Sequence, residues 1–297
     1  MKADSGYMNG LILVFGSAII WSFGGALARY LTIEDIWTIV FWRSVWATLF
    51  LVGFVVYQAG LGGTLVKFRY LRWPGFVVAG CFCVASISFV VALNYTTVAN
   101  ILFVQATVPL IATLTTWLFF GERVTKPTLA AMGLVIFGVT VMVSGSFSGQ
   151  ISPIGDLLSL LIAASFASAT VLTRRYSEIP MVPAVILGVG LASVIALAQA
   201  DRIVVPGFDL AILFIFGALN LGLGLSLFVV GARLIPAPIA ALIGTTEPVF
   251  GPLWVWLVHN EVPNVRTIIG GIIVISALFL NSAYQLRRLG TGKQSPS

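Results

Sequence analysis

Residues 89–122 read FVVALNYTTVANILFVQATVPLIATLTTWLFFGE, and residues 228–261 read FVVGARLIPAPIAALIGTTEPVFGPLWVWLVHNE. A shift of 139 positions, from 89 to 228, superposes the two stretches. Beyond the shared Phe-Val-Val, the matched pairs are Thr107 with Thr246, Pro109 with Pro248, Leu114 with Leu253, Trp117 with Trp256, Leu118 with Leu257 and Glu122 with Glu261. A collinear set that includes proline, tryptophan and glutamate is hard to ascribe to chance, so the chain contains an internal repeat.

The composition around the repeat is that of a membrane protein. Of the 297 residues, 59% are hydrophobic and 9% are charged, with a mean hydropathy of +1.06. Soluble domains carry about 25% charged residues, so lipid is the expected solvent. The net charge of +6 comes from cations scattered singly along short loops, which does not favour nucleic-acid binding. Cys81 and Cys83 predict neither a disulfide framework nor a metal site.

Ten stretches are long enough to cross a bilayer, whose core needs about 20 apolar residues per helix. They are 9–31, 36–57, 74–94, 97–120, 127–145, 153–174, 180–200, 208–231, 237–258 and 265–286. The first is too long for a signal-peptide core and is interpreted as a spanning helix. Gly60, Gly62 and Gly63 mark the longest loop, and residues 145–153 mark the junction between the halves.

The distribution of lysine and arginine predicts the orientation. With the N-terminus inside, the cytoplasmic face collects 12 of the 16 cations, namely Lys2, Lys67, Arg69, Arg72, Arg123, Lys126, Arg174, Arg175, Arg233, Arg287, Arg288 and Lys293. The opposite face has Arg29, Arg202 and Arg266, and Arg43 lies within a helix. By the positive-inside rule, both termini are cytoplasmic.

Each repeat holds five predicted helices, in residues 1–148 and 149–297. Because five is odd, the second copy must be inverted relative to the first. Glu122 then ends a helix on the cytoplasmic side, and Glu261 ends its counterpart on the outer side. Inverted repeats are typical of secondary transporters, which rock between two states around a central site.

Three segments carry a family resemblance: Gln105-Ala106-Thr107-Val108-Pro109 through Gly121-Glu122-Arg123, Gly155-Asp156-Leu157-Leu158, and Glu247-Pro248-Val249 through Glu261. With them the chain resembles the EamA family of the drug/metabolite transporter (DMT) superfamily. Its aromatic-rich first helices are similar to those of the YddG-type bacterial exporters of aromatic amino acids. The resemblance implies a ten-helix exporter of the bacterial inner membrane with a central cavity. His259-Asn260-Glu261 departs from the family, which usually has glycine before this glutamate.

Polar and aromatic residues at middle depth are the candidate substrate-binding residues. They are Trp21, Ser22, Gln105, Thr107, Ser165, Asn220 and Glu247. Trp21 is too deep for an interfacial belt, so it either stacks on a flat substrate or packs between helices. Glu247 is the only carboxylate near the middle of a helix and should face the interior. There it binds a substrate amino group, senses protons or forms a structural pair with Arg43. For each serine and threonine the alternative is helix–helix packing.

Pro109 and Pro248 are candidate hinges or cavity walls. Each removes an amide donor and frees the carbonyl four residues back, on Gln105 and Gly244. Freed carbonyls in a bilayer must face protein or a water-filled cavity. The alternative is that each proline merely bends its helix.

These features favour a secondary transporter or facilitator that exports small amphipathic metabolites by alternating access. Aromatic and other neutral amino acids are the leading substrates, and the proton is a possible coupling ion beside passive facilitation. A drug or other metabolite exporter on the same scaffold is the nearest alternative; an ion channel and a membrane-embedded enzyme are two others. The chain lacks a P-loop, and His259 has no second ligand at metal spacing, so we expect neither cofactor, metal nor enzymatic activity.

Overall fold

The computed structural model describes residues 2–121, 124–144, 152–176, 181–235 and 237–290. Within these ranges the chain is helical and contains no strand. The helices are α1 Lys2–Ser22, α2 Gly24–Arg29, α3 Ile36–Arg69, α4 Trp73–Ala92, α5 Val98–Gln105, α6 Val108–Phe120, α7 Lys126–Ser144, α8 Pro153–Arg175, α9 Met181–Gln199, α10 Gly207–Phe214, α11 Gly224–Gly231, α12 Ala237–Gly244, α13 Glu247–His259 and α14 Val265–Gly290. A π-helical segment, Ile215–Leu223, joins α10 to α11.

Nine helical segments of the described chain are long and apolar enough to cross a membrane. One of them combines α1 and α2, one combines α5 and α6, and one combines α10, the π-helical segment and α11. The ninth predicted stretch, 237–258, is divided between α12 and α13, each too short to span alone. The count of ten spanning helices therefore stays a prediction.

The predicted loop at Gly60 is wrong, because α3 continues through it to Arg69. Gly60 has φ 68° and ψ 170°, so the helix is kinked there and then resumes. Glycine adopts positive φ without steric cost, which lets the chain bend without ending the helix. Thr64 supports the kink by donating from its hydroxyl to the Gly60 carbonyl at 2.7 Å.

Local sequence explains where several helices begin. Asp35 caps α3 by accepting from the amides of Trp37 and Thr38 at 3.0 and 3.2 Å. Thr97 caps α5 and Ser152 caps α8 in the same manner. Serine, threonine and aspartate are the favoured residues at this position because they satisfy amides that have no helical partner. Proline lies in the first turn of α4, α6, α8 and α13, where its missing amide costs nothing.

The two halves of the chain pack against each other along several helices. The pairs with extensive contact include α3 with α9, α4 with α8, α1 with α11, and α7 with α14. Helices α7 and α14 approach each other closely at glycine residues: a Cβ on Gly138 would lie 2.9 Å from the Gly270 carbonyl oxygen. Thr128 adds a hydrogen bond to Asn281 at 3.0 Å. Small residues at such crossings allow the close contact on which helix packing in membranes depends.

Candidate functional site

Two helix interruptions in the middle of the chain's apolar segments have the same hydrogen bonds. Between α5 and α6, the amide and the hydroxyl of Thr107 both donate to the Val104 carbonyl, at 3.1 and 2.7 Å. Between α12 and α13, the amide and the hydroxyl of Thr246 both donate to the Ile243 carbonyl, at 3.0 and 2.7 Å. Both donors and both acceptors are 139 positions apart, so the sequence repeat reappears as identical local structure.

Pro109 and Pro248 each occupy the second position of the helix that follows the interruption. Since proline has no amide, it cannot donate to the carbonyl four residues back, and α5 and α12 end at those residues, Gln105 and Gly244. The prolines therefore end one helix and start the next. Pro109 is exposed and Pro248 is buried. Their role as hinges or cavity walls stays a prediction.

The helix ends that follow these prolines also match. Gly121 ends α6 with φ 66° and ψ 17°, and Asn260 ends α13 with φ 55° and ψ 24°. Both are left-handed caps, and asparagine is one of the few residues other than glycine that adopts this conformation readily. The departure at His259-Asn260-Glu261 thus leaves the geometry of the helix end unchanged. Glu122, the repeat partner of Glu261, lies outside the described residues.

A third interruption, between α1 and α2 at Phe23, brings two predicted site residues together. The Ser22 hydroxyl donates to the Ile19 carbonyl at 2.7 Å and accepts from Trp254 Nε1 at 2.9 Å. The Asn220 side-chain amide donates to the carbonyls of Ile20 and Trp21. Asn220 belongs to the π-helical segment, and π-helical turns are frequently found at functional sites.

Three aromatic side chains gather beside Ser22 and form what we call the aromatic cluster: Phe23, Phe250 and Trp254. The rings of Phe23 and Trp254 stack at 4.9 Å and 11°, and those of Phe250 and Trp254 stack at 5.8 Å and 15°. Phe23 is 40% exposed, so part of the cluster is not covered by protein. Sequence reasoning missed it. One signal was available in the sequence. Phe250 and Trp254 are four residues apart, so they lie on the same face of a helix, and they follow shortly after Pro248.

The other predicted residues lie in different surroundings. Trp21 packs against Phe228 with ring centroids 5.4 Å apart, and its Nε1 has no hydrogen-bond partner within the described residues. Trp21 thus packs between helices, and its role in binding a substrate stays a prediction. Ser165 is buried on α8, next to Phe166. Gln105 Oε1 is buried without a partner in the described part of the chain.

Glu247 is the first residue of α13 and is partly exposed. Within the described residues it forms neither an ion pair nor a side-chain hydrogen bond. Arg43 instead contacts Ser86 and two phenylalanine rings. The interpretation of Glu247 and Arg43 as a structural pair is therefore wrong.

One end of the bundle is fastened by a group that we call the Glu261 latch: Arg29, Val98 and Glu261. The Glu261 carboxylate accepts from Arg29 Nε at 2.8 Å and from the Val98 amide at 2.9 Å. Arg29 also donates to the carbonyls of Leu93 and Thr96, at 3.0 and 3.4 Å. The latch joins the last residue of α2, the first turn of α5 and the end of α13, and so connects the two repeats.

The bundle is packed differently at its two ends. At the Glu261 end, α5 packs against α13, and Gly251 fits directly against Leu102. The repeat relates α5 to α12 and α13 to α6. The pair that corresponds to α5 and α13 is therefore α12 and α6, which lies toward the opposite end of the bundle. Within the described ranges they have no comparable packing. Among the described residues, the helix pair at the Glu261 end is therefore more closely packed than its repeat-related pair at the other end.

Comparison with known proteins identifies the family. A model of the EamA-like transporter family matches residues 8–144 and again residues 153–283. The chain belongs to this EamA-like transporter family. One solved structure, titled "Crystal structure of protein", is 18% identical to it, with a TM-score of 0.65 over 94% of this chain and 98% of the other. That likeness supports the fold of this EamA-like transporter. No curated protein sequence matches the chain.

The EamA-like transporter has a second polar network at the Glu261 end, formed by Asp35 just before α3 and by Asp209 in the first turn of α10. Asp209 accepts from the amide and hydroxyl of Thr32 at 2.9 and 2.7 Å. Asp35 accepts from the Asp201 amide at 3.1 Å, in addition to capping α3. Partial burial acts to raise the pKa of Asp35, but hydrogen bonds from Thr38, Trp37 and Asp201 outweigh it and lower the pKa below its usual value of 3.8. These bonds border a surface depression of about 710 Å³.

Proposed function

We propose that this EamA-like transporter is a secondary transporter or facilitator that exports small amphipathic metabolites, with aromatic and other neutral amino acids as its substrates. The observation that carries the proposal is the aromatic cluster at the α1–α2 interruption. Offset-stacked rings favour a further flat ring, and the carbonyls and hydroxyls at an interrupted helix supply polar contacts at the same depth.

The difference between the two ends of the bundle supports alternating access. The Glu261 latch and the packing of α5 on α13 seal one end, whereas α6 and α12 are less closely joined. With both termini in the cytoplasm of a bacterial cell and the protein in the inner membrane, the sealed end faces outward. In the opposite state the latch separates and the cytoplasmic halves close.

Glu247 supplies the polar end of the proposed substrate site. It starts α13, and Phe250 and Trp254 of the aromatic cluster follow on the same helix. A partly exposed carboxylate without a protein partner at this depth either binds the amino group of the substrate or exchanges a proton. The first role gives passive facilitation, and the second couples export to the proton gradient.

The first test is flux of labelled Phe, Trp, Leu and Lys from proteoliposomes, with Trp254→Ala compared with Trp256→Ala. Trp254 stacks in the cluster, whereas Trp256 lies two residues further on and is exposed. We expect wild-type protein to prefer Phe and Trp. Trp254→Ala should lower Phe flux by up to about tenfold, because a stacked aromatic pair contributes about 0.5–1.5 kcal/mol and about 1.4 kcal/mol corresponds to tenfold. Trp256→Ala should transport like wild type.

Two outcomes would contradict the proposal. Equal effects of the two substitutions would remove the aromatic cluster from the substrate site. Absence of flux for every amino acid would favour the drug or other metabolite exporter instead.

A pH gradient separates the two roles of Glu247. If accumulation of Phe requires an imposed gradient and Glu247→Gln abolishes the requirement, Glu247 is the coupling residue. If flux runs only down the Phe gradient in both proteins, transport is passive.

A further inference from the structure

Arg43 is a buried arginine that forms no ion pair within the part of the chain that the structure describes. It lies seven residues into α3, about 10 Å along the helix axis, and is 6% exposed. Its Nη1 donates to the Ser86 hydroxyl at 3.2 Å. Its Nε is buried without a hydrogen-bond partner among the described residues. A guanidinium has five donors, and buried donors are normally paired, so this side chain is poorly satisfied.

Arg29 shows how the same side chain is satisfied elsewhere in this protein. All three of its nitrogens donate, one to the Glu261 carboxylate and two to carbonyls. Arg43 has instead two aromatic faces: its guanidinium carbon lies 4.4 Å from the Phe216 ring centroid and 5.4 Å from that of Phe89. Aromatic faces attract a cation, but they accept no conventional hydrogen bonds from it.

Among the described residues, no carboxylate pairs with Arg43, and Glu34, Asp201 and Glu247 form no ion pair at all. Glu261 is bonded to Arg29, Asp35 to Thr38, Asp209 to Thr32, and Asp156 to Asn100. A charge that is buried without a partner is costly, so an anion supplied from outside the chain is the natural complement.

The two rings over Arg43 also connect it to the proposed substrate site. Phe89 packs against the same apolar core as Trp254 of the aromatic cluster. The edge of Phe216 faces Gly24, at the α1–α2 interruption, where Asn220 also lies. Arg43 therefore lies one ring behind the interruption, and because Phe216 is fully buried, a ligand reaches the guanidinium only when Phe216 or Phe89 moves.

We propose that Arg43, assisted by the Ser86 hydroxyl, binds the carboxylate of a small aromatic or apolar monocarboxylate. The fork of guanidinium donors matches a carboxylate geometrically, and Phe89 and Phe216 flank the apolar body of the ligand. This inference rests on the proposed transport of small amphipathic molecules and narrows their class to molecules that carry a carboxylate.

The test measures binding to the purified protein, independently of transport. The probes are phenylalanine, 3-phenylpropionate, which keeps the ring and the carboxylate, and phenylalaninamide, which keeps the ring and the amine. Each is titrated in thermal unfolding and in equilibrium dialysis. The variants are Arg43→Gln, Arg43→Lys and Ser86→Ala, with Arg266→Gln as the matched control. Arg266 is exposed and donates to the Ser144 carbonyl at the same end of the bundle.

We expect wild-type protein to bind both carboxylates at least tenfold more tightly than the amide. Arg43→Gln should remove that preference, Arg43→Lys should keep part of it because the charge remains, and Ser86→Ala should weaken it several-fold. Arg266→Gln should match wild type. Without ligand, Arg43→Gln should unfold at the same or a higher temperature, because it removes an uncompensated buried charge.

Three results would overturn the inference: no binding of either carboxylate to the wild type, equal binding of the amide, or an unchanged preference in Arg43→Gln. A lower unfolding temperature of unliganded Arg43→Gln with unchanged carboxylate binding would assign Arg43 a purely structural role. Failure of the proposed function looks different, because the carboxylate preference in binding would then persist while no labelled amino acid crosses the bilayer.

Discussion

At the scale of single residues, Asp35 both starts a helix and connects the two halves of the chain. Its carboxylate accepts from the amides of Trp37 and Thr38 at the start of α3, and from the amide of Asp201 beyond the end of α9. The Thr38 hydroxyl donates to the same carboxylate and lies within hydrogen-bond distance of the Arg202 carbonyl. One side chain thus holds a loop of each repeat in place.

We predict that Asp35→Ala lowers the free energy of unfolding by about 0.5–2 kcal/mol at neutral pH, the usual cost of losing a helix cap. The hydrogen bonds lower the pKa of Asp35 in the folded state. Its contribution should therefore be complete above the unfolded pKa of about 3.9 and decline as the pH falls through the folded value. Thermal unfolding in detergent between pH 3 and pH 8 measures this.

The control for Asp35 is Glu34→Ala, at the neighbouring exposed carboxylate. Glu34 has no side-chain hydrogen bond within the described residues, so its removal should change little at any pH. A difference between Asp35→Ala and wild type that stays constant from pH 8 to pH 3 would show that the ionised carboxylate is not what stabilises this junction.

Prediction from sequence was most useful where a local rule applies. It pointed to Pro109 and Pro248 because proline has a defined effect on a helix, and the observed helix interruptions lie just before these prolines, at Thr107 and Thr246. It failed for Trp254. The spacing of Phe250 and Trp254 places both on one face of α13, but no pattern in the sequence shows that this face meets Ser22. The partners of Arg43 were missed for the same reason, since Phe89 and Phe216 come from distant parts of the chain.

At the scale of helices, the composition of a segment predicts that a helix is present better than it predicts where that helix is interrupted or continues. Runs of apolar residues located the helices closely, but they did not show that α3 runs through Gly60 to Arg69. Glycine is read as a loop signal, yet in a bilayer an unpaired backbone is so costly that a kinked helix is favoured over an open loop. The π-helical segment was also beyond prediction, because its extra residue per turn leaves no mark in hydropathy.

The crossing of α7 and α14 supports a sharp prediction. A Cβ on Gly270 of α14 would collide with the Gly138 carbonyl and with Met142, both in α7. A Cβ on Gly133, elsewhere in α7, would meet nothing within 4 Å. Gly270→Ala should therefore destabilise the protein by about 1–3 kcal/mol, the usual cost of overpacking. Gly133→Ala should be neutral or slightly stabilising, because alanine is the better helix former.

Thermal unfolding and the yield of monodisperse protein in detergent measure both glycine variants. If the two substitutions have equal effects, the close approach of α7 and α14 is not a major source of stability. If Gly270→Ala alone lowers stability while the flux of the folded fraction is normal, the crossing is structural and separate from the transport path.

At the scale of the whole molecule, the repeat and the charge distribution together predict an orientation. The predicted topology assigns Arg29, Arg202 and Arg266 to the Glu261 end, and the other 12 loop and terminal cations to the opposite end. We predict that a fluorescent reporter at the C-terminus is active in the cytoplasm, and that a phosphatase inserted at residues 202–205 is active outside. If the reporter is inactive at the C-terminus and the phosphatase is inactive at residues 202–205, the orientation is the opposite one, and the Glu261 end faces the cytoplasm.

Opening of the Glu261 latch is the motion that export requires if the sealed end faces outward. We predict that joining positions 29 and 261 in an Arg29→Cys, Glu261→Cys variant stops Phe flux in proteoliposomes. A direct disulfide needs a Cα–Cα distance of about 4.4–6.8 Å, whereas Arg29 and Glu261 meet through the ends of two long side chains. A bifunctional thiol reagent that a reductant cleaves is the suitable link, and reduction should restore flux to the level of the untreated double variant.

The controls follow from the native thiols, Cys81 and Cys83, which are half-buried and buried. Wild-type protein and each single cysteine variant, treated with the same reagent, should retain their flux, because none can form the link across the latch. Continued flux in the fully cross-linked double variant would mean that substrate passes without separation of α2 from α13. Because a sealed end that never opens cannot release substrate, that result would exclude alternating access through the Glu261 end and favour a fixed pathway elsewhere in the bundle.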